Sequence, residues 1–286
     1  MKSIGQKIRT LRKNKHLTQE QLAEALSVSS QSVSKWENQI STPDVALLPI
    51  IARYFGITMD ELFNYRLDAL SYKERFIRFM ADNGVLRFGE FRLQSGRVTP
   101  YFLNTGEYRS GSQITKLGEF YAKAYFDKLG EKKAVLYGPA YKGISLSVSA
   151  AVALSKNGLN VPFFFNRKEV KDHGEGGTFV GYVPQAGEEI VIIEDVITAG
   201  TAIRESMEIL SHLEGVKVAA TFIMVDRKEK GQGDKGAMQE IEEQFGFPVY
   251  SIVDVYDIIE YLEEDEKNEE NVQRIKNYLA INGAKA

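Results

Sequence analysis

Residues 190–204 read IVIIEDVITAGTAIR, a branched apolar run, two carboxylates and a string of small residues in direct succession. The run Ile190-Val191-Ile192-Ile193 lacks alternation, as a strand does when both faces of its sheet are covered. It delivers Glu194 and Asp195 to a loop at its carboxyl end, the edge of an α/β sheet where ligands bind. Val196-Ile197-Thr198-Ala199-Gly200-Thr201-Ala202 then turns into a helix. Small residues let backbone amides and Thr hydroxyls close around a phosphate, and the helix N-terminus adds a favourable partial charge. Like charges repel, so the acidic pair is suited to sugar hydroxyls and not to the phosphate itself. The combination fits a ribose 5-phosphate; the competing reading is an ordinary acidic loop at a helix start. Neither GxxxxGK[ST] nor GxGxxG stands in this turn.

The same grammar extends outward. Short apolar runs at 134–137, 161–165 and 219–225 alternate with helix-like segments of about 10–15 residues, which predicts a largely parallel sheet with helices on both faces. An amphipathic helix is expected from Tyr72 to Asn83. Gly138 to Gly143, GPAYKG, reads as a strand-end loop whose glycines admit an anion to the backbone while Lys142 supplies charge. Arg167, Lys168, Lys171 and His173 form a cationic cluster followed by Gly174, Gly176 and Gly177. Such a loop can close over a highly charged ligand, or it can be a solvated hairpin.

The chain has 286 residues, 43% hydrophobic and 26% charged, which excludes a disordered or fibrous protein. That length predicts about two domains. No apolar run approaches the ~20 residues that cross a bilayer, and Met1-Lys2-Ser3 opens no signal-peptide pattern, so a soluble cytoplasmic protein with no membrane attachment is expected. Without cysteine there are no disulfides, thiolate zinc sites or Cys nucleophile, and the scattered His16, His173 and His212 argue against a metal cage. Residues 1–66 carry nine Lys/Arg against six Asp/Glu, and the remainder carries 27 against 33. A basic head on an acidic body suggests that one end meets a polyanion.

In that head, apolar residues recur at helical spacing from Ile4 to Phe63, and five short helices fit. Thr18 reads as an N-cap, Ser27-Val28-Ser29 as a tight break, and Ser30 to Asn38 as a second helix able to lie in a major groove. Gln19-Glu20-Gln21-Leu22-Ala23, Val28, Val33-Ser34-Lys35-Trp36-Glu37 and Pro43 resemble the Xre/Cro family of lambda-repressor-like DNA-binding domains. The resemblance implies an all-α five-helix domain over residues 1–66 that binds double-stranded DNA. It puts Ser30, Gln31, Ser32 and Lys35 on the recognition face, and makes Gln19, at a helix N-terminus, a phosphate clamp. Val33 and Trp36 are expected in the core; Gln31 and Lys35 could instead be plain solvated residues.

Segment 190–204 resembles the phosphoribosyl-pyrophosphate signature of type I phosphoribosyltransferases. FGEFRLQSGRVTPYF at 88–102, GPAYKG at 138–143, FNRKEVKDHGEGG at 165–177 and VDRKEKG at 225–231 extend the resemblance, collinearly across about residues 72–262, to the orotate phosphoribosyltransferase family. For residues 67–286 this implies the type I phosphoribosyltransferase fold with a hood segment. It also implies a displacement in which orotate replaces pyrophosphate at the anomeric carbon of phosphoribosyl pyrophosphate, giving orotidine 5′-monophosphate for UMP and pyrimidine biosynthesis. Catalysis would come from positioning and electrostatics, with Mg²⁺ held mainly by the ligand and no metal-ligating residues of the protein's own. By the same resemblance Gln94, Tyr141, Lys142, Arg167, Lys168, Lys171, His173, Glu194, Asp195 and residues 196 to 202 bind phosphoribosyl pyrophosphate. Lys142, Lys168, Lys171, His173 and Asp195 are the catalytic candidates. Phe102, Leu103, Thr198 and Arg227 meet orotate, although Arg227 could instead be a structural ion pair. Basic loop residues would reach a neighbouring subunit's site, so the implied working unit is a homodimer.

The sequence departs from the family at three places: Gln94 stands where lysine is usual, Leu103 where a second aromatic is usual, and Glu194 where Asp is usual. Gln94 brings no charge to the leaving group. Two functions stay open, an enzyme coupled to transcription through its DNA-binding head, and a regulator whose transferase domain is a low-activity or inactive ligand sensor. From Ile258 to Ala286 an acidic tail is expected to form a solvated helix or helix pair.

Overall fold

The computed structural model describes residues 4–15, 17–63, 71–92, 97–171, 177–197, 200–231 and 233–284, the side chains of 60, 61, 170 and 171 excepted. The chain folds as two compact units, Met1–Ser71 and Tyr72–Ala286. Among the described residues no helix is long and apolar enough to cross a membrane.

The first unit has five helices, α1 (Ile4–Asn14), α2 (Gln19–Ala25), α3 (Ser30–Glu37), α4 (Leu48–Phe55) and α5 (Met59–Leu62). Thr18 starts α2 through a capping box: its hydroxyl accepts from Gln21 N while Gln21 Oε1 accepts from Thr18 N. Ser29 caps α3 by accepting from Ser32 N at 3.1 Å, and Ser27 turns the chain between the two helices at φ 56°. Val33 and Trp36 are buried with Ile8, Leu22, Ile51 and Leu62, as their spacing predicts. A Cβ on Gly5 would collide with the Trp36 carbonyl, so α1 and α3 meet backbone to backbone.

The second unit begins with α6 (Tyr72–Asp82) and an antiparallel ribbon of β1 (Leu86–Arg92) and β2 (Val98–Leu103). There follow α7 (Gly111–Leu129), β3 (Val135–Tyr137), α8 (Lys142–Lys156), β4 (Phe163–Lys171), β5 (Gly177–Gly181), β6 (Glu189–Ile193), α9 (Thr201–Leu210), β7 (Lys217–Asp226), α10 (Ala237–Phe245), β8 (Val249–Asp254), α11 (Val255–Glu263) and α12 (Glu269–Asn282). The main sheet runs β5-β4-β3-β6-β7-β8, parallel except for β5 against β4. Alternation inside the strands builds two cores. Leu136, Val191, Ile193, Phe222 and Met224 face one layer, and Val135, Tyr137, Ile190, Ile192 and Ile223 the other.

Two expectations are resolved. The basic segment, read as a closing loop or a hairpin, is the hairpin: β4 continues as strand to Lys171, pairs antiparallel with β5 and sets Lys171 against Gly177; residues 172–176 lie outside the described residues. The acidic tail is a helix pair, but not a freely solvated one: Ile258, Leu262, Val272 and Ile275 are buried in the main core.

Candidate active site

The carboxylate pair sits where β6 ends. Glu194 N donates to Phe222 O at 3.0 Å and Met224 N to Asp195 O at 2.8 Å, so the β6–β7 ladder continues past the strand and fixes both residues. Tyr121 Oη donates to the Glu194 carbonyl at 2.6 Å. Both side chains are buried, Glu194 to 6% and Asp195 to 8% exposure. Asp195 is well solvated by the protein: Oδ2 accepts from Thr105 Oγ1 at 2.8 Å and lies 3.0 Å from Lys142 Nζ, while Oδ1 accepts from Val196 N at 2.7 Å. Burial, and then the Asp195 charge beside it, push the Glu194 carboxyl up to about 8. A cavity of ≈ 290 Å³ opens here, lined in part by Glu194, Val196, Ile197, Gly200, Thr201 and Ala202. Gly200 precedes α9 at φ 75°, where a Cβ would stand 2.9 Å from Ile241 Cδ1. Thr198 and Ala199 lie outside the described residues.

On the neighbouring strand, β3 ends in the loop 138–141, which leads into α8. A Cβ on Gly138 would strike the Gly143 carbonyl and the Ser147 hydroxyl, so the loop folds tightly on the start of α8. Tyr141, which ends the loop, and Lys142, which opens α8, are both exposed. Lys142 leads to Asp195, and Lys168 Nζ stands 5.3 Å from the centre of the Tyr141 ring. Arg167 is half-buried, and its Nη1 is buried without a hydrogen-bond partner among the described residues. Two residues that sequence reasoning passed over tie these segments together, Thr105 on Asp195 and Asn166, whose Oδ1 accepts from Ala140 N and Tyr137 Oη. Alternation along β4 could have marked Asn166, an uncharged polar residue that follows Phe163-Phe164-Phe165 in phase with buried Phe164. Gln94, the Lys171 side chain and His173 lie outside the described residues.

Arg227, at the end of β7, is 4% exposed. It pairs with Glu229 at 2.7 Å, donates to Thr99 Oγ1 at 3.1 Å, and has its guanidinium carbon 4.3 Å from the Tyr101 ring centre. The ion pair that the sequence left open is therefore present. Glu229 also takes Arg97 at 3.1 Å. On β2, Phe102 is half-buried and stacks on Phe91 with centroids 5.3 Å apart, while Leu103 packs against the main core. The ribbon thus offers Phe102 as a half-exposed ring and commits Leu103 to packing.

In the helical unit, Gln31 and Lys35 are exposed on α3, and Ser30 and Ser32 are half-buried. Ser32 Oγ is 2.8 Å from Ser29 Oγ, inside the cap. Gln19 Nε2 donates to Glu37 Oε2 at 2.9 Å, and Arg12 grips the same carboxylate at 2.6 and 2.8 Å. Burial alone would raise the Glu37 pKa, but the bonds from Arg12 and Gln19 outweigh it and hold the carboxyl below its ordinary range.

A doubly covered parallel sheet that brings an acidic pair, a small-residue helix start and a glycine-bounded loop to its carboxyl edge has the architecture of a phosphoribosyltransferase. Comparison with known proteins agrees. Residues 104–251 match the phosphoribosyl transferase domain model, and residues 8–62 match a helix-turn-helix model. The chain is 53% identical over 186 residues to an orotate phosphoribosyltransferase of Pseudomonas fluorescens, covering 65% of this chain and 86% of that one. It is 51% identical over 183 residues to one from Clostridium acetobutylicum, covering 64% and 82%. The crystal structure of orotate phosphoribosyltransferase from Francisella tularensis superposes with a TM-score of 0.66 at 36% identity, over 73% of this chain and all of that one. The chain belongs to the orotate phosphoribosyltransferase family and carries in addition an N-terminal helix-turn-helix domain.

Proposed function

We propose that the chain transfers the phosphoribosyl group of phosphoribosyl pyrophosphate to orotate, forming orotidine 5′-monophosphate and pyrophosphate, and that residues 1–66 bind double-stranded DNA and couple this chemistry to transcription. One observation carries the first half: Glu194 lines the cavity at the start of α9, and its buried neighbour Asp195 meets Lys142, just past the loop that follows β3. A phosphorylated ribose in that cavity would leave its sugar hydroxyls to the Asp195 carboxylate and the Glu194 carboxyl, and its anomeric diphosphate would extend toward Lys142, Arg167 and Lys168. Holding both reactants in line and surrounding the departing diphosphate with cations lowers the barrier without a protein nucleophile. Half-exposed Phe102 offers a stacking face for a flat base.

Glu194 and Asp195 are hard oxygen donors, suited to Mg²⁺, yet among the described residues no group of three or more His, Asp or Glu is placed to hold a metal ion. This donor set fits an ion that arrives on the diphosphate, where Mg²⁺ would neutralise charge on the leaving group. A homodimer would bring Lys171 and His173 of one copy to the site of another, and would present two α3 helices to half-sites about 34–36 Å apart.

Gln94 favours a second reading, a ligand sensor with little turnover, because an amide replaces a cation where negative charge builds up. Loss of orotate absorbance, followed with phosphoribosyl pyrophosphate and Mg²⁺ present, separates the two. Sustained turnover supports the enzyme. Binding without turnover, with turnover gained in Gln94→Lys, establishes the sensor.

A further inference from the structure

We infer that Asn166 is the positioning residue of the diphosphate-binding loop, an inference that rests on the phosphoribosyltransferase reading of the site. Its side chain is buried to 6% exposure at the point where β4 passes the end of β3. Oδ1 accepts two hydrogen bonds, one from Ala140 N and one from Tyr137 Oη, each 2.9 Å long. A backbone N–H can only donate, so the atom it meets is the amide oxygen. Tyr137 is fully buried and closes β3, whereas Ala140 lies within the loop. One oxygen therefore fastens the loop to the strand that launches it.

The same strand holds the loop a second time. Lys168, two residues beyond Asn166, reaches the next loop residue, with its ammonium 5.3 Å from the Tyr141 ring centre. Asn166 and Lys168 thus take hold of the consecutive residues 140 and 141, and the strand that carries them also carries Arg167. An anion bound by the loop backbone and by the β4 cations meets both in one fixed register.

The residue type follows from the chemistry. The Ala140 amide needs an acceptor of this reach, and serine is too short to supply it. Aspartate would reach, but would put a negative charge beside the departing diphosphate. Asparagine accepts without charge. The Ala140 N–H is spent on this bond, so Asn166 acts on the ligand through the chain it holds and not by touching it.

The test compares two probes on the full chain by titration calorimetry, inorganic pyrophosphate with Mg²⁺ and ribose 5-phosphate, the ligand proposed for the cavity lined in part by Glu194, Gly200 and Thr201. Asn166→Ala should weaken pyrophosphate binding about tenfold, the scale of one lost hydrogen bond at a charged site, and leave ribose 5-phosphate affinity within about twofold. Tyr137→Phe removes one of the two bonds and should give the same selective loss at smaller size; it also serves if Asn166→Ala does not fold. Equal weakening of both probes, or pyrophosphate affinity unchanged in both variants, would overturn the inference. Failure of the unsubstituted chain to bind either probe would instead overturn the enzymatic reading on which it rests.

Discussion

Lys142 Nζ lies 3.0 Å from Asp195 Oδ2, which ties the cation just past the loop after β3 to the carboxylate at the end of β6. Lys142 is largely exposed while Asp195 is not, so an arriving sugar hydroxyl can displace the ammonium at little cost and take its acceptor. Asp195→Asn should reduce ribose 5-phosphate affinity by about tenfold to a hundredfold, the range for a hydrogen bond to a buried charge. Lys142→Met should leave that affinity intact while weakening pyrophosphate with Mg²⁺. Calorimetry on both variants decides the matter, and unaltered ribose 5-phosphate binding by Asp195→Asn would refute the role given to the acidic pair.

Glu194 makes the stability of the empty protein depend on pH. Its folded-state pKa stands at about 8, above the ordinary carboxylate value, so through the interval between them the folded protein holds a proton that the unfolded chain has released. Stability attributable to this group therefore falls as pH rises through that interval and levels off above about 8. Glu194→Gln, neutral at every pH, should flatten this part of the profile and melt higher than the parent at alkaline pH. Thermal unfolding over about pH 5–9 reads the difference, and parallel profiles would count against it.

The head has its own acid sensitivity, of opposite sign. Glu37 is held below its ordinary pKa by Arg12 and Gln19, so its contribution is present above the unfolded carboxylate pKa and is lost as pH falls toward the folded value. Glu37→Gln removes the carboxylate charge facing the Arg12 guanidinium, 11% exposed, and should cost the head about 1–3 kcal/mol. Trp36, the sole tryptophan, lies in the head's core, so its fluorescence follows this unit selectively. An unchanged Trp36 transition in Glu37→Gln would show that the pair is dispensable.

Specific DNA binding should fail separately from stability. Gln31 and Lys35 are exposed on α3, so Gln31→Ala and Lys35→Ala should each weaken binding to the chain's own promoter by about 1–3 kcal/mol, the value of a base contact, with the Trp36 transition in place. A gel shift that moves equally for parent and both variants would remove these residues from the groove.

The alternation of buried runs with helical segments, and the acids after β6, stood in the sequence because strand and helix periodicities are local properties of the chain. The helix pair at the end of the chain was legible in its spacing, but its burial was not, since nothing local says which surface Ile258 and Ile275 will cover. Thr105 was invisible for the same reason, and Asn166 was marked only by its place in the β4 alternation. Each acts on a residue far away in sequence, 26 positions for Asn166 with Ala140 and 90 for Thr105 with Asp195. Arg227 and Gln19 were singled out for ligands, and the structure gives each a protein partner, Glu229 and Glu37. A side chain rich in donors satisfies itself within the fold when an acid stands within reach.

Gly5 against the Trp36 carbonyl leaves no room for even a methyl group between α1 and α3. Any side chain at position 5 would push α3 away from α1. On the proposal that α3 enters the groove, a change of target would come most directly from exchanging its outward side chains Gln31 and Lys35, letter by letter, with the helix left in its seat.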